Sequence, residues 1–204
     1  MSAPEQPQLY LLTPPVFELS VFPDQLASVL DAHDVACIRL ALATRDEDRI
    51  SRAADACREV AHARDVAIVV NDHVGLAERL GLDGVHLSDA AKSVRDARKA
   101  LGPDAIVGSF CGTSRHDGMS AGEAGADYVA FGPITGLGDE TTAEDDLFAW
   151  WSEMIEVPVV AEGGLTQDAV KRLAPITDFF GIGEEIWGDE DPAAALARLM
   201  IPLD

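Results

Sequence analysis

The sequence predicts an α/β protein, a single small (β/α)8 TIM barrel, and three observations carry that reading. Eight short apolar runs alternate with eight helix-like stretches along the chain, a βα repeat that builds a parallel sheet with right-handed crossovers. The runs are rich in Val, Ile, Leu and Phe and mostly lack two-residue alternation, as strands buried on both faces do. The first βα turn reads Thr13-Pro14-Pro15, without the glycines of a dinucleotide-binding open sheet. Eight units in 204 residues sit at the small end of the barrel range, and no linker splits the chain. Residues 1–8, polar and Pro-rich, read as a disordered or frayed end, with 9–204 as one domain.

The strands are expected at 9–13, 35–40, 66–70, 84–87, 105–108, 128–131, 157–161 and 179–182. The helices are expected at 23–32, 45–63, 74–80, 91–101, 114–124, 143–155, 167–173 and 192–200. The second of these places Ile50, Ala53, Ala54, Cys57, Val60 and Ala61 on one stripe. Gly81 and Gly125 suit helix ends, and Asp191 before Pro192 suits a helix start.

Acidic residues outnumber basic ones by 36 to 15, for a formal charge of −21. Such a chain repels nucleic-acid phosphates, so no nucleic-acid partner is expected. No apolar run approaches the roughly 18–20 residues of a membrane span, and no basic-then-apolar leader opens the chain, so no membrane partner is expected. Three cysteines (Cys37, Cys57, Cys111), odd in number and without a CxxC pair, fit a reduced, cytoplasmic protein.

A barrel carries its chemistry at the C-terminal ends of its strands. That rule selects Arg39, Asn71-Asp72-His73, His86, Ser88-Asp89, Ser109-Phe110-Cys111, Gly132-Pro133, Glu162-Gly163-Gly164 and Gly181-Ile182-Gly183 with Glu184 and Glu185. Gly163, Gly164 and Gly183 read either as a phosphate cradle of bare backbone N–H groups or as tight turns. Asn71-Asp72 reads as a Mg²⁺ or polar-substrate site or as the cap of the following helix, and local sequence favours the cap. His86 reads as a satisfied core histidine. Cys111 reads as a small apolar filler, or as a nucleophile if Arg115 and His116 lower its pKa.

With Asn71-Asp72, Gly84-Val85-His86-Leu87, Gly125-Ala126-Asp127-Tyr128-Val129 and Gly163-Gly164 in order, the chain resembles the thiamine phosphate synthase family, which includes related thiazole tautomerases. The stretches VVNDHVGLAERLGLDGVHL and GEAGADYVAFGPI are the specific part of the match. The resemblance implies a (β/α)8 barrel and Mg²⁺-dependent joining of hydroxymethylpyrimidine diphosphate to hydroxyethylthiazole phosphate, releasing pyrophosphate. It implies Asp72 as a Mg²⁺ ligand beside Asn71 on the diphosphate. The second carboxylate place carries Ala91, with Asp89 nearby as the other metal candidate. Of the strand 2 gripping residues only Arg39 is present, in Cys37-Ile38-Arg39-Leu40-Ala41.

Several departures point another way. The family's phosphate-clasping loop reads Gly136-Leu137-Gly138-Asp139-Glu140, with Glu140 in the lysine place, and Glu184 and Glu185 follow strand 8. One such charge contact at 4 Å is worth about 4 kcal/mol at an effective dielectric near 20. Arg115 or Lys171 would have to replace the lysine. Two further expectations follow: a catalytically degenerate barrel binding a neutral or cationic, thiamine-like ligand or a protein partner, and a thiazole tautomerase. The latter needs a base after strand 5, where Gly112 and Thr113 stand and only Cys111 or His116 is close. A homodimer is expected by analogy with such barrels.

Overall fold

The computed structural model describes residues 6–136 and 141–203. Its strands are β1 (Gln8–Leu12), β2 (Val35–Leu40), β3 (Ala67–Asn71), β4 (Gly84–Leu87), β5 (Ile106–Phe110), β6 (Tyr128–Phe131), β7 (Val159–Glu162) and β8 (Phe179–Ile182). They run parallel in sequence order and close, β8 on β1, into a barrel. The helices between and after them are α1 (Phe22–Ala32), α2 (Glu47–His62), α3 (Val74–Arg79), α4 (Val94–Leu101), α5 (Arg115–Ala124), α6 (Asp145–Met154), α7 (Gln167–Leu173), α8 (Glu184–Trp187) and α9 (Pro192–Met200). No helix among the described residues is long and apolar enough to cross a membrane.

The helix starts follow from short polar side chains. Asp46 accepts from the N–H groups of Asp48 and Arg49 and Ser114 from Asp117, while Thr166 and Asp191 each hold an N–H in the first turn of α7 and α9. On α2 the expected stripe buries Ile50, Ala53, Ala54, Cys57 and Ala61 against the strands. The outer core runs between strands and helices, through Ile38, Ile68, Val107, Phe131, Phe148, Trp151 and Phe180. A second cluster fills the barrel itself, built from Tyr10, Cys37, Val69, Tyr128, Ala130 and Val160. All three cysteines are buried free thiols.

Three aspartates fasten the floor of the barrel. Asp83, Asp127 and Asp178 each directly precede an even-numbered strand. Their carboxylates accept from Ile68 N, Val107 N and Val159 N at 2.8, 2.7 and 2.8 Å. Their own N–H groups donate back to the carbonyls of the same three residues. Asp83 and Asp178 also offer their carbonyls to Ile106 N of β5 and Gln8 N of β1. The β1–β2 pairing differs from the other seams: its register shifts between Leu9 and Tyr10.

The element boundaries depart from the sequence reading by one to three residues at half of the ends. The first strand begins at Gln8 rather than residue 9, and Gln6 Nε2 donates to Leu203 O. The fourth helix begins at Val94 rather than 91, because Ala90 turns left-handed (φ 57°) and Ser93 Oγ ties back to Asp89. A ninth helix, α8, follows β8 at once, where the sequence reading has a plain loop.

Candidate active site

At the C-terminal end of β3, Asp72 takes a left-handed conformation (φ 58°), which turns the chain out of the strand. Its N–H donates to His86 O at 2.9 Å, and its carboxylate accepts from Ser88 N at 2.8 Å and Ser88 Oγ at 2.7 Å. The carboxylate therefore bridges the ends of β3 and β4. It does not cap α3, whose cap position is His73 with no side-chain bond. The capping rule looks only three residues ahead, whereas the partner Asp72 takes lies 16 residues on.

Two oxygens on the sequence neighbours of this bridge are buried and have no partner among the described residues: Asn71 Oδ1 and Asp89 Oδ1. The other Asp89 oxygen accepts from Ser93 Oγ at 2.5 Å. Asn71, Asp72 and His73 share a cavity of about 550 Å³ with Ala43, Thr44 and Arg45. Arg45 forms no ion pair with any described residue, and the sequence reading took it only as a helix start; its place just past β2 is the signal that would have found it. No three His, Cys, Asp or Glu side chains among the described residues gather as a metal cluster. Asn71, Asp72 and Asp89, from the ends of β3 and β4, offer hard oxygens, and on Asn71 and Asp89 one buried oxygen has no partner among the described residues. That set suits Mg²⁺, which takes one or two carboxylates and completes its shell with water and substrate phosphate.

Below the mouth, Arg39 lies inside the barrel. Its guanidinium makes a bidentate pair with Glu162 (3.0 and 2.9 Å), and Nη1 also reaches His86 Nε2 at 2.7 Å. Arginine can only donate, so His86 accepts at Nε2 and its Nδ1–H donates to Tyr128 Oη at 2.8 Å. Tyr128 and Tyr10 share a 2.5 Å hydroxyl contact, and Arg39 lies over the Tyr10 ring. The sequence expectation of a satisfied core histidine at His86 matches this geometry. Burial, with Arg39 adjacent, holds the His86 pKa well below its usual value. Burial also works against the charge on Arg39, but Glu162 and Tyr10 outweigh it and raise its pKa. Arg39, expected to grip diphosphate, thus has its charge matched by Glu162, with Nε buried and unpartnered.

The glycine pair after β7 is left-handed at both residues (φ 88° and 72°). A Cβ at Gly164 would lie 2.1 Å from Thr135 Oγ1, so only glycine admits this approach of the β6 and β7 loops. Gly163 O accepts from Ile134 N, and Gly164 O from Thr135 Oγ1 at 2.6 Å. Two backbone N–H groups beside the cradle are held by one side chain. Leu165 N donates to Glu185 Oε1 at 3.0 Å, and Gly183 N donates to Glu185 Oε2 at 2.7 Å. Strand 8 keeps its expected register, so a shifted strand does not account for the two glutamates. Glu184 is exposed, and Glu185 folds back onto the cradle.

The remaining candidates fall apart in space. Burial pushes the Cys111 thiol up to about 11, which keeps it protonated. His116 is exposed on α5, and Arg115 stacks over the Trp150 ring at 4.1 Å. Lys171 is exposed in the last turn of α7. Ala91 is partly buried against the outer core. Residues 137–140, including Glu140, lie outside the described residues.

A family profile described as thiamine monophosphate synthase matches residues 9–178. A thiamine-phosphate synthase of Rhodospirillum centenum is 45% identical over 195 residues, 93% of this chain and 94% of that protein. One from Erythrobacter litoralis is 39% identical, over 93% of this chain and 92% of that protein. The solved thiamine phosphate pyrophosphorylase from Pyrococcus furiosus superposes with a TM-score of 0.81 at 22% identity, covering 96% of this chain and 95% of its own; this shows the shared fold. The degenerate-barrel and tautomerase expectations gain no support from these relatives. With the profile spanning most of the barrel and two relatives aligned nearly end to end, the chain belongs to the thiamine phosphate synthase family.

Proposed function

We propose that this chain joins hydroxymethylpyrimidine diphosphate to hydroxyethylthiazole phosphate and releases pyrophosphate, with Mg²⁺ at the β3–β4 end of the barrel. The observation that supports this reading is the pair of buried oxygens without a partner among the described residues, on Asn71 and Asp89, each next in sequence to one end of the Asp72–Ser88 bridge. Asp72 and Asp89 would hold the metal, and Asn71 would contact it or the diphosphate. Bound there, Mg²⁺ supplies positive charge against the leaving diphosphate.

The chain's own residues do the rest. Ser88 fixes the Asp72 carboxylate with two hydrogen bonds, so its remaining lone pairs are aimed before substrate arrives. Arg45 adds a cation to the wall of the same cavity, where negative charge gathers on the departing oxygen. The carbon–oxygen bond to diphosphate breaks, leaving a pyrimidine methylene cation. The thiazole nitrogen donates its electron pair to that carbon. Neither step transfers a proton, and the histidine inside the barrel, His86, is locked between Arg39 and Tyr128.

The decisive assay supplies both precursors with Mg²⁺ to the purified protein and measures thiamine phosphate by its oxidised fluorescence. Turnover that falls at least about a hundredfold in Asp72→Ala and Asp89→Ala, at unchanged fold, is the expected result. Absence of product from a folded protein beside an active control overturns the reading. Cytoplasmic location, a homodimer and the lack of a nucleic-acid partner belong to the same proposal; the cysteine pattern supports the first and the charge of −21 the last.

A further inference from the structure

We propose that Glu185 is an internal competitor for the phosphate of the thiazole substrate, and that it makes this chain accept the uncharged thiazole alcohol alongside the phosphate. The inference rests on the proposed function above for the reaction, and on the geometry for the residue.

Two backbone N–H groups from different loops converge on one side chain. Leu165 follows the glycine pair after β7, and Gly183 follows β8. Each donates to a different oxygen of the Glu185 carboxylate, at 3.0 and 2.7 Å. That is the pattern by which two oxygens of a phosphate are held by main chain at the mouth of a barrel. Here the anion is built into the protein. Neither Glu185 nor its neighbour Glu184 forms an ion pair with any described arginine, lysine or histidine. A substrate phosphate that claims these N–H groups must displace a carboxylate that stays tethered beside it. Among the described residues no cation lies within ion-pairing distance of either glutamate to offset the repulsion. An uncharged hydroxyethyl group meets neither obstacle, since it leaves the carboxylate in place and can donate its hydroxyl hydrogen to it. Glu185 thus sets how strongly the site prefers a phosphorylated partner. It does so by binding and not by chemistry, because it touches the remote end of the thiazole.

The test compares wild type with Glu185→Ala and Glu185→Gln. Steady-state coupling is run with hydroxyethylthiazole phosphate and with hydroxyethylthiazole, and binding of each is measured separately by calorimetry without the pyrimidine substrate. The expected result is a rise of about tenfold or more in the phosphate-to-alcohol ratio of kcat/KM in both variants, through a lower KM for the phosphate. Calorimetry should show the phosphate bound correspondingly more tightly. The glutamine variant keeps an acceptor oxygen, so a folding defect confined to the alanine variant leaves the comparison intact. An unchanged ratio and an unchanged phosphate affinity in both variants overturn the proposal. If no thiazole is coupled at all, the reaction assignment fails. Calorimetry then decides the role of Glu185 alone: tighter phosphate binding in the variants supports it, and no change refutes it.

Discussion

Replacing Glu162 by glutamine tests whether the barrel interior is a charge-balanced network. Arg39 is 5% exposed and Glu162 8% exposed, and their bidentate pair supplies both hydrogen bonds between the guanidinium and a carboxylate. Glutamine keeps the shape and one acceptor oxygen but removes the charge and sets an amide donor against the guanidinium, leaving a buried cation without its counter-charge. Breaking a buried pair from one side costs about 3–5 kcal/mol, and at a slope of ~2 kcal/mol per molar urea that is a fall of about 2 M in the unfolding midpoint. Unfolding would be followed by tryptophan fluorescence, using Trp150, Trp151 and Trp187. The double variant Arg39→Met, Glu162→Leu should recover most of the loss, because removing both charges removes the desolvation problem. A single-variant loss below about 1 kcal/mol, or a double variant no better than the single, would refute the assignment of this pair as a mutual charge balance.

Other outcomes follow from the same geometry. In Gly108→Ala the new Cβ would sit 2.0 Å from Tyr128 Cζ; overpacking should cost about 1–3 kcal/mol and shift the near-ultraviolet signal of the tyrosine pair. Because the His86 pKa is held below its ordinary 6.5 by burial and by Arg39, the unfolded chain binds the extra proton first. His86, faced by Arg39 and Tyr128, therefore contributes stability that is fully present above about pH 6.5–7 and lost as the pH falls towards the folded value. The loss reaches at most about 1.4 kcal/mol per pH unit, and His86→Gln should flatten that slope in urea titrations; an unchanged slope contradicts the assignment. Asp178→Ala should cost about 1–2 kcal/mol and speed hydrogen exchange at the Val159 amide, which it otherwise holds at 2.8 Å. Exchange at Val159 no faster than in wild type would show that the carboxylate contributes nothing there.

Much of the barrel is legible in the sequence because its signals are local. The β4, β6 and β8 positions emerge intact from the apolar runs Gly84–Leu87, Tyr128–Phe131 and Phe179–Ile182. The seventh strand is read two residues early because Val157 and Pro158 extend the apolar run, although the ladder pairs begin at Val159. The α8 helix is too short to show any period, so Glu184 and Glu185 read as loop. The site is less legible because its partners are far apart in the chain. Arg39 meets Glu162 across 123 residues, and no local rule predicts that its charge is already matched. Likewise the two glutamates after β8 signal lost anion binding in the sequence, whereas only the fold reveals that one of them occupies the cradle itself.

The aspartates on the barrel floor act as register stops. A parallel strand can slide along its neighbour with little change in backbone hydrogen bonding, so something must fix where pairing begins. Each of Asp83, Asp127 and Asp178 grips one residue of the preceding strand through both carboxylate and N–H, which fixes the first rung of the pairing. Asp34 stands in the same place before β2 and makes no such grip among the described residues, and the seam it would guard is the one with a slipped rung. Alignment anchored at the floor also decides what the rim presents. A one-residue slip would turn His86 on β4 and Glu162 on β7 from the lumen towards the helices, so the carboxylates at the bottom govern which partners Arg39 meets without touching them.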